Sequence, residues 1–281
     1  MIERPVAIVG LGVIGGSLAR ALGDGGVEVR AWSQSASDRA AAEAAGVPVV
    51  HDVTASLVEL TTGAAIVMLA IPIQELAPLI TRMLPSVERE CVVLHAGSLQ
   101  RQRSIGLDDS SWDHVFGTHP FTGSEGAGFS YSRPDLFRGA AVSIESRAPP
   151  HSRRLAESLW RAAGIGRFDV KSAEDHDRLM VWMSHLPQLA ATALASTLAA
   201  AGASPADAGP GARDTTRLAA SPLALWSALL GAATPENVAA VRALEETLGR
   251  LRVAIEEGDG GTLGREWESA RRWRHGVEAA R

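Results

Sequence analysis

Near its beginning the chain reads Val6-Ala-Ile-Val-Gly10-Leu-Gly12-Val-Ile-Gly15-Gly16-Ser17-Leu18, an apolar run followed by a glycine-rich turn and a helical pattern. A strand, a G-x-G-x-x-G turn and a helix start in this order are typical of dinucleotide-binding sites. Gly10 allows the tight turn, Gly12 lets backbone N–H groups approach a pyrophosphate, and Gly15 lets the helix pack close to the strand. The N-terminal end of the helix, at Val13 and Ile14, favours a negatively charged ligand. We therefore predict a cofactor site over this turn; a glycine-rich turn without a ligand is the alternative.

The pattern that begins here continues over the first part of the chain. Residues 1 to 171 alternate short apolar runs with Ala-rich helical stretches, which predicts a Rossmann-type parallel sheet covered by helices. The predicted strands are 5–9, 27–32, 64–71, 91–95, 114–118, 140–145 and 166–170. Helical patterns then follow over 174–201, 222–230, 235–257 and 263–280, with a loop at 201–212. We predict an α/β fold in which a dinucleotide-binding Rossmann domain, 1–171, precedes an all-helical domain, 172–281.

Composition indicates a globular enzyme with a small-molecule substrate. The 281 residues are 46% hydrophobic and 21% charged, which allows a full core and two domains. The net charge of -5 is spread without runs of like charge, so we expect no nucleic-acid partner. Cys91 is the single cysteine, which excludes a disulfide framework and fits a reducing compartment. No His, Cys or carboxylate cluster has the spacing of metal ligands, so we expect no metal.

The start of the chain and its apolar runs bear on cellular location. Only a few residues separate Met1 from the first predicted strand, and they form no basic leader. No apolar run reaches the ~20 residues that a membrane span needs. We therefore expect a cytoplasmic protein that is neither exported nor anchored in a membrane.

The residues at the end of the second predicted strand bear on the choice between NAD and NADP. NAD-specific sites usually place an Asp or Glu there, which binds the ribose 2′-hydroxyl. Here the segment reads Val29-Arg-Ala-Trp32-Ser33-Gln34-Ser35, and no carboxylate precedes Asp38. Nothing at Ser33 or Gln34 repels a 2′-phosphate, which favours NADP over NAD. Use of both cofactors is the alternative.

Candidate site residues follow three of the predicted strands, at the sheet edge where ligands bind. Pro72 and Gln74 follow strand 64–71, Ser98 follows 91–95, and His119 follows 114–118. An imidazole with a pKa near ~6.5 can accept a proton from an alcohol while a hydride leaves the same carbon, which accelerates reactions roughly 10²- to 10⁴-fold. We predict that His119 is this general base and that Pro72 and Gln74 lie beside the cofactor. A structural histidine before a proline turn is the alternative for His119. The histidines expected to be structural are His95, His114 and His176.

Two polar segments are prominent in the helical part. Pro187, in Ser184-His185-Leu186-Pro187-Gln188, removes a backbone hydrogen bond and is expected to bend the helix, either to expose polar groups or only for packing. The segment Arg213-Asp214-Thr215-Thr216-Arg217 carries guanidinium groups suited to bidentate binding of a carboxylate. A surface ion pair that contributes little to stability is the alternative.

The ordered set of motifs resembles the prephenate/arogenate dehydrogenase family, which includes 4-amino-4-deoxyprephenate dehydrogenases. The matching motifs are Gly10–Leu18, Ile71-Pro72-Ile73-Gln74, Gly97-Ser98, His119-Pro120-Phe121-Thr122-Gly123-Ser124-Glu125, Asp175-His176-Asp177, Ser184–Pro187 and Arg213–Arg217. Their order and spacing match over nearly the whole chain. The resemblance implies NAD(P)-dependent oxidative decarboxylation of prephenate or a close analogue. It also implies that the helical domain forms an intertwined homodimer, with the active site between the two domains.

The resemblance further implies roles at the matching positions. His119 would accept the proton of the ring C4 hydroxyl as hydride passes to the nicotinamide, and Ser98 would hydrogen-bond to that hydroxyl or to His119. Arg217 would bind a substrate carboxylate, and Glu125 would gate or order the pocket. The remaining positions implied to lie near the substrate are Ser184, Asp214, Trp226 and Gln188.

Departures from the family pattern bear on the substrate. The family's Asp-x-Gly-Ser-x-Lys reads here His95-Ala-Gly97-Ser98-Leu-Gln100, without either charged residue. Its Ser-Asp-Pro run reads Ser221-Pro222. Members specific for prephenate tend to have His after Ser-His-Leu-Pro, where this chain has Gln188. Gln188 therefore suggests a substrate with an amino group, such as arogenate or 4-amino-4-deoxyprephenate.

Two other functions remain open on the sequence. One is a hydroxyacid-type dehydrogenase with the same two-domain plan; such enzymes commonly use a Lys on the interdomain helix, whereas the only lysine here, Lys171, precedes that helix. The other is a non-catalytic dinucleotide-binding protein, suggested by His95 and Gln100. The joint presence of His119, Ser98 and Arg217 argues against it.

Overall fold

The computed structural model describes residues 2–51, 53–101, 106, 115–124 and 126–279, of which 53–56 without their side chains. It contains two compact units, Met1–Met180 with Ala220–Ala233, and Val181–Ala219 with Thr234–Arg281. The first unit thus includes 172–180 and 220–233, which the sequence assigned to the helical domain. The domain boundary at 171/172 stays a prediction.

The first unit is built on a seven-stranded sheet, which confirms the predicted α/β fold. The strands are β1 (Val6–Val9), β2 (Val29–Trp32), β3 (Ile66–Leu69), β4 (Val92–His95), β5 (Val115–Pro120), β6 (Ala141–Glu145) and β7 (Arg167–Lys171). Their order is β2-β1-β3-β4-β5-β6-β7. The order reverses at β1, which lies between β2 and β3, and such a switch point is where open α/β sheets bind ligands.

One strand pair departs from the predicted parallel sheet. β6 runs antiparallel to β5, with His119 opposite Ser143, whereas the other neighbouring strands are parallel. Parallel neighbours require a long crossover connection, usually a helix. The described residues between β5 and β6 contain only the short 3₁₀ turn Phe129–Tyr131. The chain therefore returns to the sheet in the opposite direction.

Helices cover both faces of this sheet. They are α1 (Val13–Asp24), α2 (Ala36–Ala44), α3 (Val53–Thr61), α4 (Ile73–Met83), α5 (Pro150–Ala162), α6 (Ala173–Met180) and α9 (Leu223–Ala232). Alternate residues of β1 point to opposite faces, so Val6 and Ile8 join one buried cluster while Ala7 and Val9 join the other. The two clusters fix the strand ends that carry the candidate site.

The second unit is helical in its described part. It contains the π-helical turn Val181–His185, α7 (Leu186–Ala200), α8 (Pro210–Thr216), α10 (Thr234–Glu257) and α11 (Gly260–Ala279). The predicted loop 201–212 is shorter than expected, since Pro210 is compatible with the first turn of α8. The predicted single helix 174–201 is also wrong, because the π-helical turn interrupts it just before Pro187. None of the described helices combines the length and apolar character needed to cross a membrane.

Candidate active site

The glycine-rich turn adopts the close-packed geometry that its sequence predicts. Gly10 has a φ of 93°, and a Cβ there would lie 2.3 Å from the Ala70 carbonyl oxygen. A Cβ on Gly15 would lie 1.8 Å from the Gly10 carbonyl oxygen. Gly12 differs, since a Cβ there would meet no atom within 4 Å. The turn is therefore tight on its inner side and open at Gly12, the position at which a pyrophosphate would approach.

The N-terminus of α1 is suited to bind an anion. Gly12 caps this helix without a side-chain hydrogen bond, and no acidic residue lies in the first turn. Val13 and Ile14 are the first helical residues. The N–H groups of a first turn have no partner within the helix, so they can donate to a phosphate.

A cavity of about 780 Å³ opens over this turn. Six of the nine residues predicted to bind the cofactor line it, namely Gly10, Gly12, Ser33, Gln34, Pro72 and Gln74. The other three, Val13, Ile14 and Gly15, belong to the first turn of α1. The cavity thus lies at the carboxyl ends of β1, β2 and β3, and its size fits a dinucleotide site.

Two charged residues, Asp38 and Arg39, lie near the start of α2, the helix that follows the β2 segment considered for the choice between NAD and NADP. Asp38 lines the cavity, and its Oδ1 accepts a hydrogen bond from the backbone N–H of Phe129 at 2.9 Å. The Arg39 guanidinium donates to the carbonyl oxygens of Ser33 and Gln34. The segment therefore carries one negative and one positive side chain.

His119 and Ser98 are positioned by neighbouring parallel strands. His119 lies within β5, one residue before its end, and Ser98 follows β4 by three residues. The two strands pair in register, with His95 opposite Gly117. Both side chains are partly buried. The sheet thus places an imidazole and a hydroxyl at the same edge as the cavity.

His176 contacts the predicted base directly. Its Nε2 lies 3.1 Å from Nδ1 of His119, and its Nδ1 lies 2.9 Å from Oδ1 of Asp177. Both His176 and Asp177 are 0% exposed. From sequence alone His176 is expected to be structural, and the signal for its role is the Asp175-His176-Asp177 motif. Because 57 positions separate His119 from His176, spacing alone did not show that the two meet.

Asp177 is a buried carboxylate with several hydrogen-bond donors. Oδ1 accepts from the backbone N–H of Gln100 at 2.7 Å, and Oδ2 accepts from the backbone N–H of Arg101 at 3.0 Å and its Nε at 3.2 Å. Burial by itself raises the pKa of this carboxyl, but the hydrogen bonds from His176, Gln100 and Arg101 outweigh it, so the pKa lies below its ordinary value. Asp177 is therefore ionised at neutral pH.

His95 and Gln100, which stand where the family pattern has Asp and Lys, are both buried and neutral. Burial lowers the pKa of His95 to about 4, and its Nδ1 lies 3.3 Å from the backbone N of Gly97. The Gln100 side chain is fully buried and packs against Gly117, where a Cβ would lie 2.6 Å from its Cγ. These two residues flank Ser98 in the sequence and add no charge beside it.

The predicted substrate residues of the second unit lie on four elements. Ser184 is in the π-helical turn, Gln188 in α7, Asp214 in α8, and Arg217 begins the 3₁₀ turn that follows. Asp214 and Arg217 are exposed, Ser184 is partly buried and Gln188 is buried. In the first unit, Trp226 is partly buried on α9. Glu125 and His114 lie outside the described residues.

Comparisons with known proteins identify the family of the chain. Residues 18–153 match the family described as "Prephenate dehydrogenase, nucleotide-binding domain", and 172–267 match "Prephenate dehydrogenase, dimerization domain". Cyclohexadienyl dehydrogenase from Zymomonas mobilis is 28% identical over 274 residues, which cover 92% of this chain and 91% of that protein.

Solved structures share the fold. Prephenate dehydrogenase from Aquifex aeolicus, crystallised with hydroxyphenyl propionate and NAD+, superimposes with a TM-score of 0.88 at 22% identity, covering 99% of both chains. Synechocystis arogenate dehydrogenase gives a TM-score of 0.79 at 23% identity, covering 97% of this chain and 99% of that one. The matched ranges take in most of the sequence and confirm the resemblance drawn from its motifs, so the chain belongs to the prephenate/arogenate dehydrogenase family of oxidoreductases.

Proposed function

We propose that this protein catalyses the NAD(P)-dependent oxidative decarboxylation of prephenate or a close analogue, arogenate or 4-amino-4-deoxyprephenate, to the aromatic product. The observation that carries the proposal is the placement of His119 at the same sheet edge as the open glycine turn. The nicotinamide, when bound, supplies the hydride acceptor. The chain fits such a cofactor, since the space beside Gly12 and the uncapped start of α1 suit a pyrophosphate.

The protein's own residues act on the substrate. His119 accepts the proton of the C4 hydroxyl, or of the amino group in its place, as hydride leaves that carbon. Ser98 donates or accepts a hydrogen bond at the same group. Arg217 binds a substrate carboxylate, and Ser184, Asp214 and Trp226 lie near the substrate. By its family resemblance, Glu125 gates or orders the pocket. Loss of CO₂ makes the ring aromatic, which drives the reaction, so the main task of these residues is to orient the substrate.

Gln188 supports a substrate that carries an amino group. Its Nε2 donates to the carbonyl oxygen of Leu218 at 2.9 Å, which fixes the orientation of the amide. Oε1 is then a buried acceptor, and it has no hydrogen-bond partner among the described residues. A buried acceptor left unpaired costs about 1–3 kcal/mol, so a donor such as an ammonium group stabilises this arrangement. We therefore favour arogenate or 4-amino-4-deoxyprephenate over prephenate.

The test of this preference uses two substitutions at one position. Gln188→His supplies the residue typical of prephenate-specific members, and Gln188→Met keeps the length of the side chain without polar atoms. We expect both variants to lose kcat/KM for the amino substrates, and Gln188→His to gain relative activity with prephenate. Unchanged ratios among the three substrates in both variants would remove Gln188 as the selecting residue.

For the cofactor we favour NADP. Ser33 and Gln34 line the cavity at the position where NAD-specific sites have a carboxylate, and the Arg39 guanidinium lies beside them. Asp38, which also lines the cavity, supports NAD as the second candidate. Dissociation constants for both cofactors in the wild type, Arg39→Gln and Asp38→Asn decide between them. Asn at position 38 keeps the acceptor for Phe129 while removing the charge, so the substitution isolates the electrostatic effect.

The match of residues 172–267 to a dimerisation domain supports a homodimer formed through the helical domain. We propose that this dimer works in the cytoplasm. Light scattering on the purified protein tests the dimer, since a monomer at micromolar concentration would contradict it.

The activity itself is tested with three substrates and two cofactors. Each of prephenate, arogenate and 4-amino-4-deoxyprephenate is mixed with NAD or NADP, and formation of reduced nicotinamide is followed. We expect turnover of at least one substrate, and a loss of about 100-fold or more in His119→Ala. His151→Ala, which removes an exposed histidine, is the matched control. Cofactor binding without any turnover would instead favour a hydroxyacid-type dehydrogenase or a binding protein.

A further inference from the structure

We propose that His176 and Asp177 are positioning residues that set the tautomer of His119, so that its Nε2 is the unprotonated nitrogen. The inference rests on the proposed function in one respect, namely that His119 is the base. It goes beyond it by assigning roles to two residues of α6. Its basis is the continuous chain of contacts from His119 through His176 to Asp177.

The direction of each hydrogen bond follows from the ionised end of this chain. Ionised Asp177 can only accept, so Nδ1 of His176 carries a proton and donates it. In a neutral imidazole the other nitrogen is then an acceptor, so Nε2 of His176 accepts from Nδ1 of His119. His119 therefore holds its proton on Nδ1, which leaves Nε2 able to take a proton from substrate.

The same chain stabilises the charge that catalysis creates. When Nε2 of His119 gains a proton, the ring becomes an imidazolium whose Nδ1–H points toward His176, and beyond it lies the Asp177 carboxylate. A buried carboxylate that orients an imidazole and stabilises its protonated form is worth up to about 10⁴-fold in kcat in serine proteases. The arrangement here has a second imidazole between the two partners.

Packing holds the three groups in place. The Phe121 ring lies nearly parallel to the His176 ring, at 7° with centroids 6.2 Å apart, and both contact the His119 ring edge to face. Asp177 also binds the backbone of Gln100 and Arg101, which follow Ser98 closely. One carboxylate thus fixes both the imidazole pair and the segment that carries Ser98.

The other charged or titratable groups around this chain of contacts are few among the described residues. Arg101 donates to Asp177 through Nε, His95 interacts electrostatically with Asp177 and His176, and Arg147 interacts electrostatically with His95. Burial keeps His95 neutral near pH 7, because its pKa is about 4. The charged or protonated partners of the Asp177 carboxylate are therefore Arg101 and His176.

The first test reads the tautomers directly and needs no turnover. The protein is labelled with ¹⁵N-histidine, and long-range ¹H–¹⁵N spectra are recorded at pH 8, with the His119 signals assigned through His119→Ala. We expect both His119 and His176 to carry the proton on Nδ1. A proton on Nε2 of His119 in the wild-type protein would overturn the proposal, whether or not the enzyme turns over any of the three substrates.

The second test uses kinetics. Asp177→Asn removes the charge at constant size, and His176→Phe keeps a ring that can stack on Phe121. We expect kcat to fall by about 100-fold or more in each, with KM changed by less than about threefold and the acid limb of the pH profile moved to lower pH. Asp169→Asn, which removes a carboxylate of β7, is the control. Folded variants that bind cofactor normally and keep the wild-type kcat and pH profile would overturn the proposal.

Discussion

Gly15 packs so closely against Gly10 that a Cβ at position 15 would lie 1.8 Å from the Gly10 carbonyl oxygen. Atoms cannot approach to this distance, so Gly15→Ala must displace α1 or the turn. We expect the substitution to lower the free energy of unfolding by about 1–3 kcal/mol and to weaken cofactor binding as well. Urea unfolding of the cofactor-free protein measures the first effect. A variant as stable as the wild type would show that the turn accommodates a Cβ at position 15.

Gly12→Ala is expected to separate binding from stability. A Cβ at this position meets nothing within 4 Å, and the backbone there has a φ of -71°, which alanine adopts without strain. Stability should therefore stay within about 0.5 kcal/mol of the wild type. The added methyl group occupies the space in which a pyrophosphate would approach, so the cofactor Kd should rise about tenfold or more.

The control for Gly12→Ala is Gly23→Ala. Gly23 also lies on α1 with nothing near its missing Cβ, but it is far from the cavity lining. It should leave the cofactor Kd unchanged and stabilise the helix slightly. Titration of both variants by the fluorescence of reduced cofactor measures the difference. Equal Kd values in Gly12→Ala and the wild type would place the pyrophosphate elsewhere.

The strands could be predicted from sequence because each is a short apolar run bounded by turn residues, and all seven are confirmed near their predicted positions. The direction of β6 could not be predicted, because an apolar strand pattern looks the same for parallel and antiparallel strands. The direction depended on whether the connection after His119 formed a helix. The π-helical turn at Val181–His185 was likewise beyond prediction, although Pro187 indicated that the helix would be disturbed there.

The candidate site shows the same limit. His119 and Ser98 could be found because each follows a predicted strand, and sheet geometry brings strand ends together. His176 lies on a helix, and its contact with His119 depends on how α6 packs against the sheet. No periodicity or spacing in the sequence reports that packing, so its hydrogen bond to the base emerged only in three dimensions.

Cys91 is expected to be unreactive in the folded protein. The thiol is buried just before β4, and burial raises its pKa to about 11. At pH 8 only about one molecule in a thousand then carries the reactive thiolate, and the surrounding side chains block access. Ellman's reagent should modify Cys91 slowly in buffer and completely in denaturant. Rapid stoichiometric labelling of the native protein would contradict the buried placement of this strand.

His95 should make the stability of the protein depend on pH between about 4 and 6.5. Burial lowers its folded pKa from 6.5 to about 4, so within this window the unfolded chain binds a proton that the folded chain does not. Stability is therefore fully present above pH 6.5 and is lost as the pH falls toward 4. A difference of this size corresponds to about 3 kcal/mol. Urea unfolding at pH 7, 6, 5 and 4 measures the loss.

His95→Asn tests this assignment because asparagine retains an acceptor for the Gly97 N–H and does not titrate. The variant should be less stable at pH 7, since it leaves a space in the core, but its stability should fall less steeply between pH 7 and pH 4. His151→Asn, which changes an exposed histidine, should keep the wild-type slope. If the slope of His95→Asn equals that of the wild type, the acid sensitivity arises elsewhere. If it flattens, the buried imidazole at the family's Asp position is the source of the acid sensitivity.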